Sequence, residues 1–596
     1  MSQQAPNEQE TSSSRPKSRA GISFLLLALI VLLGGYFRFY SLNWDDYASL
    51  HPDERYLTLN LLPQIGGELQ FTPDNEHFPS QAVLIASNSA VIASEFDIQV
   101  NPAFLVGAVT YNKSDKVAEW WVGDNRVTTF HNADTAHQAL IRGDVSAIVL
   151  PEIDAGRYIS TTTISLAIFD SIRVQNIRCD ALNPDTNGAG GYFDTYCSPL
   201  NPHNAYSGAY AYGTLPLFLA HFSTDIIENI ISPDRPLSYQ DGVLVWRFFS
   251  AFFDVGSIIL IFFIGSRMHN RWVGLLAAVL YACAPLAIQK AHFGTVNAIT
   301  AFFVTLAIWA AVNVQDRGKL YHYIVFGFAL GCALAGRINV IPLAGVVVLA
   351  GMVNAAPVLD ARVAWSERER LLWRNLIGVF LAGITTILVF RVFNPYAFTG
   401  PSFFHMIPNA RWLADAQGSS FAVSGASDAP PNWQWLGRAS FLYPLRDMLF
   451  WGMGIAMGVM AWLGFSWSGY RLVCGGQFSL RNILIFAWVF VYFAWIGDLW
   501  VMTMRYYLPL YSSLALFAAW ALYELYRYSR EHQQDNPLTR ILLIGFGIFF
   551  SVIPIVQASV SNLTATTVAS TVIGFSLIAL AIIPKIKFRA TALTSF

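Results

Sequence analysis

Apolar runs of roughly membrane-spanning length alternate along this chain with short polar loops, and one long polar stretch interrupts the series near its start. The first run extends from Gly21 to about Tyr40. The others have cores at Leu244 to Gly265, Val273 to Ile288, Ala298 to Val312, Tyr323 to Ala335, Val340 to Val353, Leu376 to Val392, Met448 to Phe465, Ile483 to Ile496, Leu508 to Leu525, Ile541 to Val556 and Val568 to Ile583. With the first they predict an all-α polytopic bundle of about twelve transmembrane helices.

Between the first and second runs lie about two hundred residues in which no segment is long enough to cross a bilayer. Within them Ala82 to Ala86 and Val145 to Leu150 have the pattern of buried strands. Asp134 to Arg142 has helical spacing, with Asn132 or Asp134 as cap and Gly143 as stop. These features predict an external α/β domain inserted over residues 72–190. The chain then divides into a polar, disordered cytoplasmic tail (1–20), the first span with its outer loop (21–71), the insert (72–190), the rest of that loop (191–243) and the transmembrane bundle (244–596).

Composition agrees with a membrane protein. Apolar residues make up 54% and charged residues only 13%, while the aromatic share of 15% suits interfacial belts. The formal net charge of −1 argues against a nucleic-acid partner. Basic residues are unevenly placed: Arg267 and Arg271, Arg317 and Lys319, the Arg362 to Arg374 cluster, Arg471 and Arg481, Arg527 to Arg540, and Lys585, Lys587 and Arg589 fall on alternate loops, in phase with Arg15, Lys17 and Arg19. The positive-inside rule then predicts a multi-pass plasma-membrane protein with both termini cytoplasmic and the other loops outside. The first run ends in Gly34-Gly35-Tyr36-Phe37-Arg38 and lacks a small-x-small cleavage site, so it reads as a retained span. Of the five cysteines, Cys179 and Cys197 fall outside, where pairing is open to them; Cys283, Cys332 and Cys474 fall in or beside spans.

Candidate chemistry gathers at the outer boundary. Ser49-Leu50-His51-Pro52-Asp53-Glu54-Arg55-Tyr56 places two carboxylates, an imidazole and a guanidinium at the end of the first span. Ionisable groups there are costly unless water, a partner charge or a polar ligand meets them. On a helix Asp53 and Glu54 diverge by roughly 100°, so one is free to act as a general base while the other holds an arginine, a cation or the acceptor. The plainer explanation is an acidic first turn preceding Leu57-Thr58-Leu59. Arg337 and Arg505 sit at span ends on the same side, where each suits a phosphate or merely snorkels. Arg247 and Asp254, seven apart on one span, read as structural. The loop from Asn394 to Arg438 is rich in aromatic and amide groups, which suit sugar stacking and an interfacial belt equally.

The His-Pro-Asp-Glu element after an apolar span resembles the first external loop of GT-C glycosyltransferases, the polyprenyl-phosphate-sugar-dependent group that includes protein O-mannosyltransferases and lipid A aminoarabinose transferases. Phe193-Asp194-Thr195, Ser198 to Pro202 and Tyr212 to Leu217 resemble the stretch after that motif in bacterial members of Chloroflexota type. Ile288 to Asn297 resembles the second external motif, usually His-Phe-x-Thr-Val-Asp, here with Asn297 in the last position. Asn297 can hydrogen-bond a sugar or phosphate but cannot serve as a base. Met504-Arg505-Tyr506-Tyr507-Leu508-Pro509 resembles the Arg-Tyr-x-Leu-Pro element.

The resemblance implies an inverting glycosyltransferase that moves a sugar from a polyprenyl-phosphate donor to a hydroxyl of a protein, lipid or glycan acceptor at the outer face. Asp53, or Glu54, would be the base. Arg505, Arg337, Tyr506, His292 and Asn297 would bind the donor and its phosphate, with His51 and Arg55 in support. No cofactor is demanded; a divalent cation would look to Asp53, Glu54 and His292, an incomplete ligand set. A polytopic transporter or flippase is the competing class, and it would keep its ionisable cluster near mid-membrane. A catalytically silent relative with a partner-binding insert is the third reading, raised by Asn297.

Overall fold

The computed structural model describes residues 17–66, 82–85, 107–110, 120–122, 125–129, 147–150, 190–195, 198–205, 210–231, 239–426, 430–475 and 477–531. The chain is mostly helical. Among the described residues, five helical segments are long and apolar enough to cross a membrane: Gly21–Phe39, Gln240–Met268, Val296–Arg317, Trp365–Phe393 and Met504–Tyr528. A sixth span results if Arg271–Ala282 and Pro285–Ala291 count as one, bent by 60°. Cys283 and Ala284 lie at that bend, and Pro285 opens the second piece, where its missing N–H costs nothing. Leu320–Leu334, Ile338–Asn354 and Leu480–Ile496 are shorter apolar helices.

This differs from the twelve expected spans in two ways. The run expected at Met448 to Phe465 is broken: Met448–Gly452 forms a π-helical turn, and the long helix, Ile455–Cys474, starts after Gly454, whose φ of +80° suits glycine. The two runs beyond Ile541 lie outside the described residues. So do Cys179, Cys197 and the helix expected at Asp134 to Arg142.

Burial orders the bundle. In Val296–Arg317, 83% of the most apolar window is buried, so this alanine-rich helix is central; in Trp365–Phe393 the share is 17%, which leaves most of that helix facing outward. Leu320–Leu334 lies between them, packed against both. Gly327 and Gly331 let it approach closely, since a Cβ at either would collide with Ala382, Thr385 or Val389 of the outer helix.

The loops that carry the basic residues meet at one end. Arg267 pairs with Asp316 at 2.6 Å. Gln315 donates to the Leu480 carbonyl, Asn354 to the Gln315 carbonyl and Arg374 to Asn354 Oδ1. Arg247, near the start of the same helix as Arg267, marks the opposite end, roughly 30 Å away at 1.5 Å per residue. That separation matches the hydrocarbon thickness of a bilayer.

Five strands form one mixed sheet in the order β1-β5-β2-β4-β3. The two strands expected from sequence are present as β1 (Ala82–Ile85) and β5 (Ala147–Leu150), paired parallel. Three others were not foreseen: β2 (Gly107–Thr110), β3 (Trp120–Val122) and β4 (Asn125–Thr129), paired antiparallel. The pairing of Val122 with Asn125 leaves Gly123-Asp124 between β3 and β4, a tight-hairpin sequence signal.

Candidate active site

The end of the first helix is fixed before the site begins. Arg38 is fully buried, ion-paired with Asp254 at 2.5 Å and donating to the Gly34, Tyr281 and Ala282 carbonyls. It joins the first helix to Tyr239–Met268 and to the bend after Ala282. The loop that follows is tightly folded, with positive φ at Ser41, Asp46, Tyr47 and Ser49, and it brings Asp45 back onto the bundle.

There Arg247 receives two carboxylates. Its Nη1 and Nη2 donate to Asp45, each at 2.9 Å, and its Nε and Nη2 donate to Glu54 at 2.7 and 2.9 Å. The side chains of all three are fully buried in these pairs. Burial alone would raise the Asp45 carboxyl, but hydrogen bonds from Arg247 and the Leu50 N–H, with the guanidinium charge, bring it below the usual carboxylate value. The Gly294 N–H also donates to Glu54 Oε1. A Cβ at Gly294 would press on Glu54, Thr58 and Trp246, so glycine permits this approach.

Pro52–Arg55 is one helical turn, followed by the π-helical segment Tyr56–Leu61. From this turn Glu54 points into the Arg247 lock, while Asp53 meets Arg505 at 2.8 Å. That contact is an ion pair without hydrogen-bond alignment, since Asp53 Oδ2 and Arg505 Nε lack hydrogen-bond partners. Asp53 and Arg505 side chains are 14% and 22% exposed. The two adjacent carboxylates therefore take opposite surroundings, as the helical divergence requires.

Around Asp53 the cluster is basic and aromatic. Arg337 lies over the Tyr506 ring at 4.9 Å and the Tyr212 ring at 6.0 Å. Its placement follows from Gly213, whose N–H donates to the Gly336 carbonyl and which has no room for a Cβ against Ala335. Burial, and then the Asp53 charge, pushes the Tyr212 hydroxyl up to about 12. Lys290, buried in the bent helix, donates from Nζ to His51 Nε2 at 3.2 Å. Burial and the charges of Lys290 and Arg505 outweigh Asp53 and bring His51 down to about 4. A neutral ring that accepts at Nε2 carries its proton on Nδ1, a buried atom without a partner.

Other expected site residues stand apart. His292 lies between two main-chain carbonyls, Ile288 at 2.8 Å from Nδ1 and Tyr40 at 3.0 Å from Nε2, one of which a neutral ring can bond by donating, so it sits between the bend and the end of the first helix. Arg55 bonds the Ser49 carbonyl. Asn297 is buried, its amide donating to Thr295 while Oδ1 has no partner. Lys290, Tyr212 and Asp45 were not anticipated as site residues. A lysine in an apolar segment was the available signal for the first.

The anticipated divalent-cation ligands do not assemble. Glu54 is engaged by Arg247 and the Gly294 N–H, His292 by carbonyls, and Asp53 faces a guanidinium. Among the described residues no group of three or more His, Cys, Asp or Glu is placed to hold a metal.

Comparisons with known proteins address this arrangement at the level of family. Residues 239–390 match the family model described as dolichyl-phosphate-mannose-protein mannosyltransferase. That stretch holds Arg247, Lys290, His292, Asn297 and Arg337. A Bacillus subtilis (strain 168) protein named as a mannosyltransferase, YkcB, is 29% identical over 77 residues, which cover 13% of this chain and 11% of the relative. Among solved structures, ArnT from Cupriavidus metallidurans bound to undecaprenyl phosphate aligns with 63% of this chain and 60% of its own, at 14% identity and a TM-score of 0.37. The apo Archaeoglobus fulgidus oligosaccharyltransferase aligns with 65% of this chain and 48% of its own, at 14% identity and a TM-score of 0.33. The chain thus spans about half to three fifths of the length of these solved proteins. The family match is confined to residues 239–390, about a quarter of the chain, and over that stretch the chain is similar to dolichyl-phosphate-mannose-protein mannosyltransferases.

Proposed function

We propose that this protein is a multi-pass membrane glycosyltransferase that moves a sugar from a polyprenyl-phosphate donor to an acceptor hydroxyl, with inversion. The observation that carries the reading is the Asp53–Arg505 ion pair, partly open and surrounded by Arg337, Lys290, Tyr212 and Tyr506. One carboxylate among several fixed cations at a bundle end suits a reaction that takes a proton from an acceptor and releases a phosphate. The donor class follows the matched family's description, which names a dolichyl-phosphate sugar.

In the proposed sequence the donor phosphate competes for Arg505 and draws it from Asp53. The freed Asp53 carboxylate takes the acceptor O–H proton as that oxygen bonds to the anomeric carbon. The bond between that carbon and the phosphate oxygen breaks, and its electron pair leaves with the phosphate, which Arg505 and Arg337 hold. Arginine suits this task because its planar fork matches phosphate oxygens. Glu54, already bonded by Arg247, holds the turn that presents Asp53. The orphaned His51 Nδ1–H would donate to a phosphate or sugar oxygen, while Asn297 Oδ1, apart from the cluster, can only accept, as from a sugar hydroxyl.

The end carrying Asp53 is the outer face in this reading, because the basic loops converge at the other end. The five-stranded sheet belongs to an external insert. The acceptor is a protein, lipid or glycan.

The test is transfer of labelled sugar from a panel of polyprenyl-phosphate donors, in membranes carrying matched amounts of wild type, Asp53→Asn and Arg505→Ala. Incorporation by wild type that collapses in Asp53→Asn identifies donor and base together. No transfer from any donor, or full transfer by Asp53→Asn, rejects the mechanism.

A further inference from the structure

A cavity of about 430 Å³ lies at the bundle end opposite Asp53, lined among others by His269, Arg471, Arg481, Trp520, Glu524 and Arg527. Two helices fix its position. His269 follows the far end of Tyr239–Met268, 22 residues beyond Arg247, and Arg527 stands 22 residues beyond Arg505, so each path is roughly 33 Å. The two sites therefore lie at opposite boundaries of one bilayer.

We propose that this cavity is a second, separate anion site that binds a phosphate group at the membrane boundary away from the Asp53 cluster. Its walls carry three arginines and one carboxylate. Glu524 is already paired with Arg527 at 2.8 Å. Arg471 lies over the Trp520 ring at 5.9 Å, and Arg481 donates to the Met268 carbonyl at 3.4 Å. Neither has a carboxylate in ion-pair contact among the described residues. Two guanidiniums beside one cavity, without a carboxylate partner among the described residues, are a geometry for phosphate oxygens.

His269 reports the same field. It stacks on Trp520 and bonds Asn482 Oδ1 at 3.0 Å. Burial, together with Arg481 and Arg471, outweighs the Asn482 bond and brings it down to about 4. The imidazole is thus neutral at pH 7, and the positive charge of the cavity rests on the arginines, of which Arg527 is met by Glu524 while Arg471 and Arg481 have no carboxylate in ion-pair contact among the described residues. An anion there would be attracted strongly, since membrane-edge sites are only partly screened by salt.

Phosphate could arrive on a lipid headgroup or free in solution, and the experiment separates the two. Full-length protein in detergent is titrated with phosphatidylglycerol, phosphatidylcholine and inorganic phosphate, with bound lipid counted by native mass spectrometry. Wild type should retain phosphatidylglycerol about tenfold more tightly than phosphatidylcholine, and Arg471→Gln with Arg481→Gln should erase that preference. The paired Lys variant, whose charge persists, should recover part of it, which separates lost binding from lost folding; gel filtration and melting curves check the fold of each. Displacement of phosphatidylglycerol by millimolar phosphate assigns the site to phosphate from either source. Resistance to it assigns the site to a lipid headgroup. A phosphatidylglycerol preference equal in wild type and the double Gln variant, or none in wild type, overturns the proposal.

Discussion

Asp53 and Glu54 are consecutive residues, each facing an arginine from a distant helix, yet their surroundings differ in every respect that matters. The Glu54–Arg247 pair is fully buried, is made by two directed hydrogen bonds, and is reinforced by Asp45 and the Gly294 N–H. The Asp53–Arg505 pair is partly exposed and held by charge without hydrogen-bond alignment. A buried pair with both carboxylate oxygens hydrogen-bonded resists separation, because parting it strands charges away from water. A partly exposed pair with an unpartnered donor and acceptor is easier to exchange for a ligand than the buried one. One helical turn thereby carries a fixed anchor and an exchangeable group side by side.

The largest effect expected of this contrast is on turnover. Asp53→Asn should lower sugar transfer by about a thousandfold, the loss typical of a removed general base, while the melting temperature in detergent stays near wild type. A variant that transfers sugar normally would mean that Asp53 is no base. Next comes the anchor: Arg247→Met leaves Glu54 and Asp45 buried without their cation, at a cost of about 3–5 kcal/mol. Thermal melting should show the protein largely unfolded or absent from membranes. A melting curve matching wild type would refute the account of that lock. Smaller again is Arg505→Lys, which keeps the charge but loses the fork. Donor KM should rise about tenfold, with kcat changed less. An unchanged KM would remove Arg505 from donor binding.

The apolar helical character of the bundle was legible because apolar runs are long relative to the loops between them, while the number of spans was not: five segments among the described residues, or six with the bent pair, have spanning length. The sequence also brought Asp53, Arg337 and Arg505 forward, since charges at span ends stand out against an apolar background. Partner choice was not legible. Glu54 and Arg247 lie 193 residues apart, and only the close approach at Gly294 and the positive-φ loop carrying Asp45 decide that Arg247 takes Glu54. Lys290 was obscured for a related reason: a lone lysine near a span end ordinarily snorkels, and here the bend before Pro285 turns it inward beside His51. His292, prominent in the motif, instead faces main-chain carbonyls at both ring nitrogens.

The smallest prediction probes how the open pair is surrounded. His51 titrates near 4 in the folded protein, because burial and the charges of Lys290 and Arg505 outweigh Asp53, against about 6.5 in an unfolded chain. Between those values the unfolded state binds a proton that the folded state refuses. The contribution of this residue to stability is therefore complete above pH 6.5 and declines as pH falls towards 4. Protonation would place a second positive charge 3.2 Å from Lys290 Nζ and remove the acceptor that Lys290 uses. His51→Gln keeps an acceptor and cannot titrate. Lowering the pH from 7 to 5, a range in which most carboxylates keep their charge, should cost wild type about 1–3 °C more in melting temperature than the variant. Parallel pH profiles for the two proteins would show that His51 is not held neutral by this cluster, and the basic field assigned to the Asp53 end would have to be weaker than the geometry implies.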